Sequence, residues 1–418
     1  MIVEVFPSKI KGELQAPASK SMLQRAIAAA FLVDGLVRIE GYSSSADADA
    51  ALELLRSLGV KVEVNGSRLI IHPNSNLKSA SLNIGESGLG IRLFSPILAL
   101  FKQSFTIEAK GTLQKRPMYL IENVLKSNGV NCTITDGFAP INIQGPLKGG
   151  QINFDASEGS QLLSGMLMAL PRLGIDSELL VKNLKSKPYI DMTISLLKDF
   201  GVEIKHGDYT RFKIVGNQQY KTDSYLVEGD WSGAAFLLVA AAINGSVQVE
   251  NLRKDSLQGD KNIVEVLAQV GASIQQEENR ISVKKNELKP FVYDATETPD
   301  LFPPLAALAV FCSGVSRIKG VHRLIYKESN RAEAIYEMLK KLGLKVEFEG
   351  DEMLIEGGNV RGGTVSSFHD HRMAMMAALL GLTAKDAIQI TEAESIDKSY
   401  PKFYKDMQSI GLQIKTIT

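Results

Sequence analysis

At 418 residues the chain is too long for one ordinary domain, and its 47 basic and 47 acidic side chains cancel, which excludes a protein drawn to nucleic acid or an anionic membrane by its overall field. Only two cysteines occur; Cys132 fills an apolar strand slot and Cys312 lies in the apolar run Leu305–Cys312, so both read as core filler. No disulfide framework and no zinc-ligand spacing is present, and any anion site must come from local placement of cations.

In chain order, Met1–Gly12 alternates apolar and charged residues, predicting a strand, and lacks the long apolar core of a signal peptide. The segment Pro17-Ala18-Ser19-Lys20-Ser21-Met22-Leu23-Gln24-Arg25 leads into an alanine-rich helical run. Amide groups and the helix dipole there favour an anion, although a serine cap with a solvated lysine accounts for the same residues. The turn Gly85-Glu86-Ser87-Gly88-Leu89-Gly90-Ile91-Arg92 permits close backbone approach to a ligand, or simply enters the following apolar helix. Its glycine spacing fits neither the dinucleotide fingerprint nor a Walker A loop.

Further cations stand in Lys115-Arg116-Pro117 and Ser186-Lys187-Pro188-Tyr189. The longest apolar run, Gly233–Ile243, falls well short of the roughly twenty residues that span a bilayer, so a soluble cytoplasmic protein is expected, or an organellar one if a transit peptide has been removed. In Lys327-Glu328-Ser329-Asn330-Arg331 the two cations are four apart, and a helix would stack them on one face, which costs stability unless an anion or carboxylate separates them. Last comes Phe368-His369-Asp370-His371-Arg372-Met373-Ala374-Met375. Two histidines suggest a metal, but no third ligand is near; either Arg372 is held by Asp370 as an anion site, or Asp370 is a plain N-cap.

One pattern runs through all of this. Apolar helical stretches end at Gly59, Gly129, Gly201, Gly271, Gly343 and Gly411, spaced 68 to 72 residues apart. Four residues earlier stand Leu55, Leu125, Leu197, Leu267, Leu339 and Met407, on the buried face of a helix. After each glycine apolar residues recur with period two, from Val60, Val130, Val202, Ala272, Leu344 and Leu412, as in half-buried strands. The glycine is the expected left-handed helix stop. The chain thus reads as an α/β unit used six times, with strands at Arg68–His72 and Asn153–Asp155 among those completing it, and as two similar domains of three units.

Taken together, these segments resemble the 5-enolpyruvylshikimate 3-phosphate synthase family of enolpyruvyl transferases from Lys20 to Lys398. The most specific matches are Ser186–Thr193, Val227–Asp230 and Asp370–Met375. The resemblance implies two similar domains, each of three βαβαββ units packed around buried helices as an inside-out α/β barrel, with the active site in the cleft between them. Residues 1–18 plus 228–418 would form domain I and 19–227 domain II, with hinges near 17–20 and 225–230.

The reaction so implied is transfer of the enolpyruvyl group of phosphoenolpyruvate to the 5-hydroxyl of shikimate 3-phosphate, releasing phosphate by addition and elimination, on the route to chorismate and the aromatic amino acids. Two multiply charged anions need a dense set of fixed cations. By the same resemblance Lys20, Ser21, Arg25, Ser160, Gln161, Ser186, Asp300 and Lys327 are matched to shikimate 3-phosphate. Lys20, Gly88, Arg116, Gln161, Arg331, Arg372 and Lys398 are matched to phosphoenolpyruvate. Asp300 would take the 5-hydroxyl proton and Glu328 would take part in proton transfer at the methylene group, with the acid/base split between Glu328, Lys20 and Lys398 left open. No cofactor or metal is implied, and a monomer is expected that works on small anionic substrates without nucleic acid or membrane.

Several positions depart from the family pattern. Gly159 replaces a serine, Arg323 an asparagine and Asn330 an aspartate; Glu86-Ser87 replace Asn-Ala, and Leu89 and Leu93 replace Thr and Pro. These put glyphosate sensitivity in question. UDP-N-acetylglucosamine enolpyruvyl transferase shares the scaffold but carries a cysteine in a mobile loop, and no cysteine lies between Gly85 and Arg116 here. A ring of α/β units around DNA would need basic inward helices, which Leu52–Leu58 and Ile263–Val270 are not. A non-catalytic binding protein of the same fold is opposed by the presence of Asp300, Glu328 and Lys398.

Overall fold

The structure, a computed structural model, describes residues 1–73 and 76–417. Each of the six glycines ends a helix with positive φ, from 77° at Gly201 to 110° at Gly411. The amide after each glycine donates to the carbonyl four residues before it: Val60 to Leu55, Val130 to Leu125, Val202 to Leu197, Ala272 to Leu267, Leu344 to Leu339 and Leu412 to Met407, at 2.8–3.1 Å. This is the Schellman closure, which satisfies helix carbonyls that would otherwise lack donors. The residue whose carbonyl is capped also buries its side chain, so one position in each repeat fixes both the end of the helix and its inward face.

Among the described residues the strands form six four-stranded sheets. In one, Ala80–Asn83 runs parallel to Ser104–Glu108, which pairs antiparallel with Phe138–Gln144, itself antiparallel to Asn131–Thr135. With helices Gly88–Leu98 and Tyr119–Ser127 between them, the order is βαβαββ. Register places Leu82 opposite Ile107 and Ile107 opposite Ile141, so the period-two apolar residues share the face that meets the helices.

The chain forms two compact units, one of Met1–Pro17 with Glu228 onward, the other of Ala18–Val227. Strand Ile10–Gln15 joins the first unit by pairing parallel to Gly245–Glu250, and Ser224–Leu226 closes a sheet of the second against Val37–Glu40. Ala18, expected with the first stretch, instead buries its methyl group in the core of the second unit. Each core is built on three helices. In the first unit these are Trp231–Asn244, Phe302–Val310 and His371–Gly381, buried at every position except Ser232 and Asn244. In the second they are Lys20–Phe31, Gly88–Leu98 and Gln161–Ala169. Helices apolar all round are stable only inside a core; their first turns carry the polar residues described next.

Candidate active site

In the second unit, side chains tie the starts of the three core helices together. Gln24 Nε2 donates to Ser87 Oγ at 2.6 Å and to the Asp47 carbonyl at 2.9 Å. Arg25 Nε donates to Thr193 Oγ1 at 2.8 Å, and that hydroxyl donates to Ser164 Oγ at 2.9 Å. The amino ends at Lys20, Gly88 and Gln161 therefore gather at one end of the unit, where their amides and dipoles favour negative charge. Lys20 Nζ is held by Asp47 Oδ2 at 2.9 Å. Arg25 is buried and its guanidinium also donates to the carbonyls of Ser21 and Tyr189. Burial lowers its pKa to about 10.

Gly88 opens its helix against the Arg116 side chain, and a Cβ there would meet Arg116 Cζ at 2.9 Å and Nη1 closer still. Arg92 donates to the Gly88 carbonyl at 3.0 Å. Burial, with the charge of Arg116 beside it, lowers Arg92 to about 9. The buried Nε of Arg116 has no hydrogen-bond partner among the described residues. Two like charges beside an open glycine have the charge and the room that an anion requires. The Glu86-Ser87 departure has a local reason: Glu86 Oε2 accepts from the Thr112 amide at 3.1 Å and its hydroxyl at 2.8 Å, pinning the turn before Arg116. Ser87 Oγ accepts from the Gly90 amide at 3.0 Å and caps the helix. Ser160 and Ser186 both occupy N-cap positions and are buried, Ser186 with a left-handed φ of 61°.

The first unit holds a dense ionic cluster. Asp300, in the turn before helix Phe302–Val310, accepts on Oδ1 from Arg331 Nη1 at 2.8 Å and Lys327 Nζ at 3.3 Å, and on Oδ2 from Arg372 Nη2 at 3.1 Å. Arg331, fully buried, also donates to Glu328 Oε2 at 2.6 Å and through Nε to Asp370 Oδ2 at 2.7 Å. Burial pushes the Asp300 carboxyl up, but Arg372, Lys327 and Arg331 together outweigh it and hold it well below the ordinary carboxylate range. Burial lowers Lys327, partly offset by Asp300. For Arg331 burial also lowers the pKa, yet the carboxylates of Asp370, Glu328 and Asp300 win and raise it. Lys398 is buried at the end of the segment Ala393–Lys398, which packs on helix His371–Gly381.

Two local expectations change. Lys327 does not share a helix face with Arg331, because the helix starts at Arg331; the two cations instead converge on the carboxylate of Asp300. Asp370 caps its helix through the Arg372 amide at 2.9 Å and binds the Arg331 side chain, whereas the Arg372 guanidinium is held by Asp300. Among the described residues no group of three or more His, Cys, Asp or Glu side chains is placed to hold a metal ion.

The family described as EPSP synthase (3-phosphoshikimate 1-carboxyvinyltransferase) matches residues 6–407. The chain belongs to that family. A 3-phosphoshikimate 1-carboxyvinyltransferase of Clostridium kluyveri is 37% identical over 99% of this chain and 98% of its own length. One of Clostridium botulinum is 35% identical over 98% and 97%. An EPSP synthase structure from Acinetobacter baumannii superposes with a TM-score of 0.84 at 28% identity, covering all of both chains. The enolpyruvyl transferase NikO from Streptomyces tendae, at 16% identity and a TM-score of 0.81 over 99% and 98% of the two chains, shares the fold.

The residues expected from sequence fall into two groups. Lys20, Ser21, Arg25, Gly88, Arg116, Ser160, Gln161 and Ser186 stand in the second unit; Asp300, Lys327, Glu328, Arg331, Arg372 and Lys398 stand in the first. Asp47, Gln24 and Arg92 were missed as parts of these clusters. Arg92 could have been found from its place in the glycine-rich turn. Asp47 carries no local signal, because its partner Lys20 is 27 residues distant in sequence.

Proposed function

We propose that the chain transfers the enolpyruvyl group of phosphoenolpyruvate to the 5-hydroxyl of shikimate 3-phosphate, releasing inorganic phosphate, in aromatic amino acid biosynthesis. The observation that carries this reading is Asp300 at the meeting point of Lys327, Arg331 and Arg372, in a chain of the EPSP synthase family. A carboxylate so surrounded can be relieved of its cations by an anionic substrate and then accept a proton.

In this reading Lys20, Ser21, Arg25, Ser160, Gln161 and Ser186 bind shikimate 3-phosphate together with Asp300 and Lys327. Phosphoenolpyruvate takes Lys20, Gly88, Arg116, Gln161, Arg331, Arg372 and Lys398. Asp300 removes the 5-hydroxyl proton as that oxygen bonds to C2 of phosphoenolpyruvate, and the methylene carbon gains a proton from one of Glu328, Lys20 and Lys398. Loss of that methyl proton then expels phosphate and restores the double bond. Fixed cations stabilise the charge that builds on the leaving phosphate without reorganising. Residues 1–17 plus 228–418 and residues 18–227 act as the two substrate-carrying domains, and the enzyme works as a cytoplasmic monomer, which sedimentation and cell fractionation test.

The deciding assay is phosphate release from phosphoenolpyruvate by the purified protein with and without shikimate 3-phosphate. Release only when both are present is expected. Release without shikimate 3-phosphate, or none with both, contradicts the reading.

A further inference from the structure

We propose that Glu392 is a positioning residue for phosphoenolpyruvate, fastening the segment that carries Lys398 to the segment that carries Arg372. The inference rests on the function proposed above and on the part given there to those two cations.

Strands Gly363–Ser366 and Ile388–Thr391 run parallel and end level, with Ser366 opposite Thr391. Arg372 follows Ser366 by six residues and Lys398 follows Glu392 by six, so each cation stands on the segment that leaves one of the strands. Glu392 bridges the two segments. Its Oε2 accepts from Ser366 Oγ at 2.8 Å and from Thr391 Oγ1 at 2.5 Å, and its carbonyl accepts from Ser367 Oγ at 2.9 Å. The same carbonyl takes the Ser395 amide at 3.0 Å, and Ser395 Oγ donates back to Ser367 Oγ at 3.2 Å. Ser366 Oγ in turn accepts from the Phe368 amide at 2.8 Å, and the Ser367 carbonyl accepts from the Asp370 amide at 2.9 Å. The bridge therefore reaches the cap of the helix that opens with His371 and Arg372.

The backbone shows what the bridge holds in place. Glu392 has φ 49° and ψ 36°, and Phe368 and His369 have φ of 55° and 54°. Glycine adopts this left-handed conformation at less cost, and residues with side chains keep it only where their surroundings fix it. The hydroxyls that donate to the Glu392 carboxylate are neutral, so the segments are fixed without drawing a cation from the site. Ser367 is wholly buried, which keeps water from competing for its hydroxyl. Ending two strands does not require such a lattice. Cations that must hold an anion in a reacting geometry do require supports that lock them from behind.

The test is steady-state phosphate release by Glu392→Ala, Glu392→Gly and Glu392→Gln, with each substrate varied in turn. In Glu392→Ala, kcat/KM for phosphoenolpyruvate should fall by about 10–10²-fold, the cost of displacing a positioning group by up to an ångström. Most of that loss should lie in KM for phosphoenolpyruvate, with KM for shikimate 3-phosphate unchanged. Glu392→Gly, which relaxes the left-handed backbone but lacks the carboxylate, should be equally impaired. Glu392→Gln, whose amide oxygen still accepts from the hydroxyls, should recover most of the loss. An unchanged KM for phosphoenolpyruvate in Glu392→Ala, wild-type kinetics in Glu392→Gly, or an equal rise in both KM values would overturn the role of Glu392. Should Glu392→Ala not fold, Ser366→Ala, which removes one donor, should raise KM for phosphoenolpyruvate by about fivefold, the worth of one hydrogen bond; no rise overturns the proposal. A wild-type protein with no shikimate 3-phosphate-dependent phosphate release would overturn the functional reading and this inference together, whereas an active wild type with an unaltered variant overturns the inference alone.

Discussion

Replacing Asp300 by Asn separates what its charge does for catalysis from what it does for the fold. The carboxylate receives contacts of 2.8, 3.1 and 3.3 Å from Arg331, Arg372 and Lys327. Loss of a general base lowers turnover by about 10²–10⁴-fold. The same three cations lose an internal competitor for the substrate anion, so KM for phosphoenolpyruvate should stay level or fall. Because the folded pKa of Asp300 is depressed, its charge contributes stability that is fully present at neutral pH and lost as pH falls through the folded value. Charge-assisted hydrogen bonds to a partly buried group contribute about 1.5–3 kcal/mol, so the variant should melt earlier at pH 7, with the gap to wild type closing in acid. Steady-state phosphate release and thermal melts with and without phosphoenolpyruvate measure all of this. Turnover within a few-fold of wild type, or a markedly raised KM at unchanged turnover, would refute the reasoning.

Further predictions concern the scaffold and the anion receptor. Gly201→Ala isolates the cost of a left-handed cap, since its Cβ would meet only Lys221 at an ordinary 3.5 Å; urea unfolding should show a loss of about 1–2 kcal/mol, and no measurable loss would remove the cap from the account. Asp370→Ala takes away a helix cap and a carboxylate that accepts from a fully buried arginine, so a loss of about 3–5 kcal/mol is expected, against which unchanged stability in the same assay would count. Gly88→Ala must displace Arg116; KM for phosphoenolpyruvate should rise while that for shikimate 3-phosphate holds, and an equal rise in both would argue against the assignment of Arg116.

What the sequence made legible was whatever depends on neighbours along the chain. Leu197, Gly201 and Val202 lie within one helix turn and its exit, so spacing alone discloses the cap and the inward face. The cations of the site were also visible, because Lys20, Arg116 and Arg331 stand at element boundaries where structural needs are few. Their partners were not. Asp370 reaches Arg331 across 39 residues, and Arg372 reaches Asp300 across 72; such pairings follow from how repeats pack, which periodicity within one repeat does not encode. The helical stacking expected of Lys327 and Arg331 failed for a related reason, since the helix begins only where Arg331 can meet Asp370 and Asp300. Asp47 was silent because a buried aspartate in the first turn of a helix looks in sequence like any capping residue.

The claim on which the rest depends is that these clusters serve one condensation of two anions. Its most direct measurement is the coupled release of phosphate from phosphoenolpyruvate by purified protein, without added metal, as shikimate 3-phosphate is titrated in. Release should saturate with shikimate 3-phosphate and be absent without it. Release independent of shikimate 3-phosphate, or none at any concentration, would contradict it.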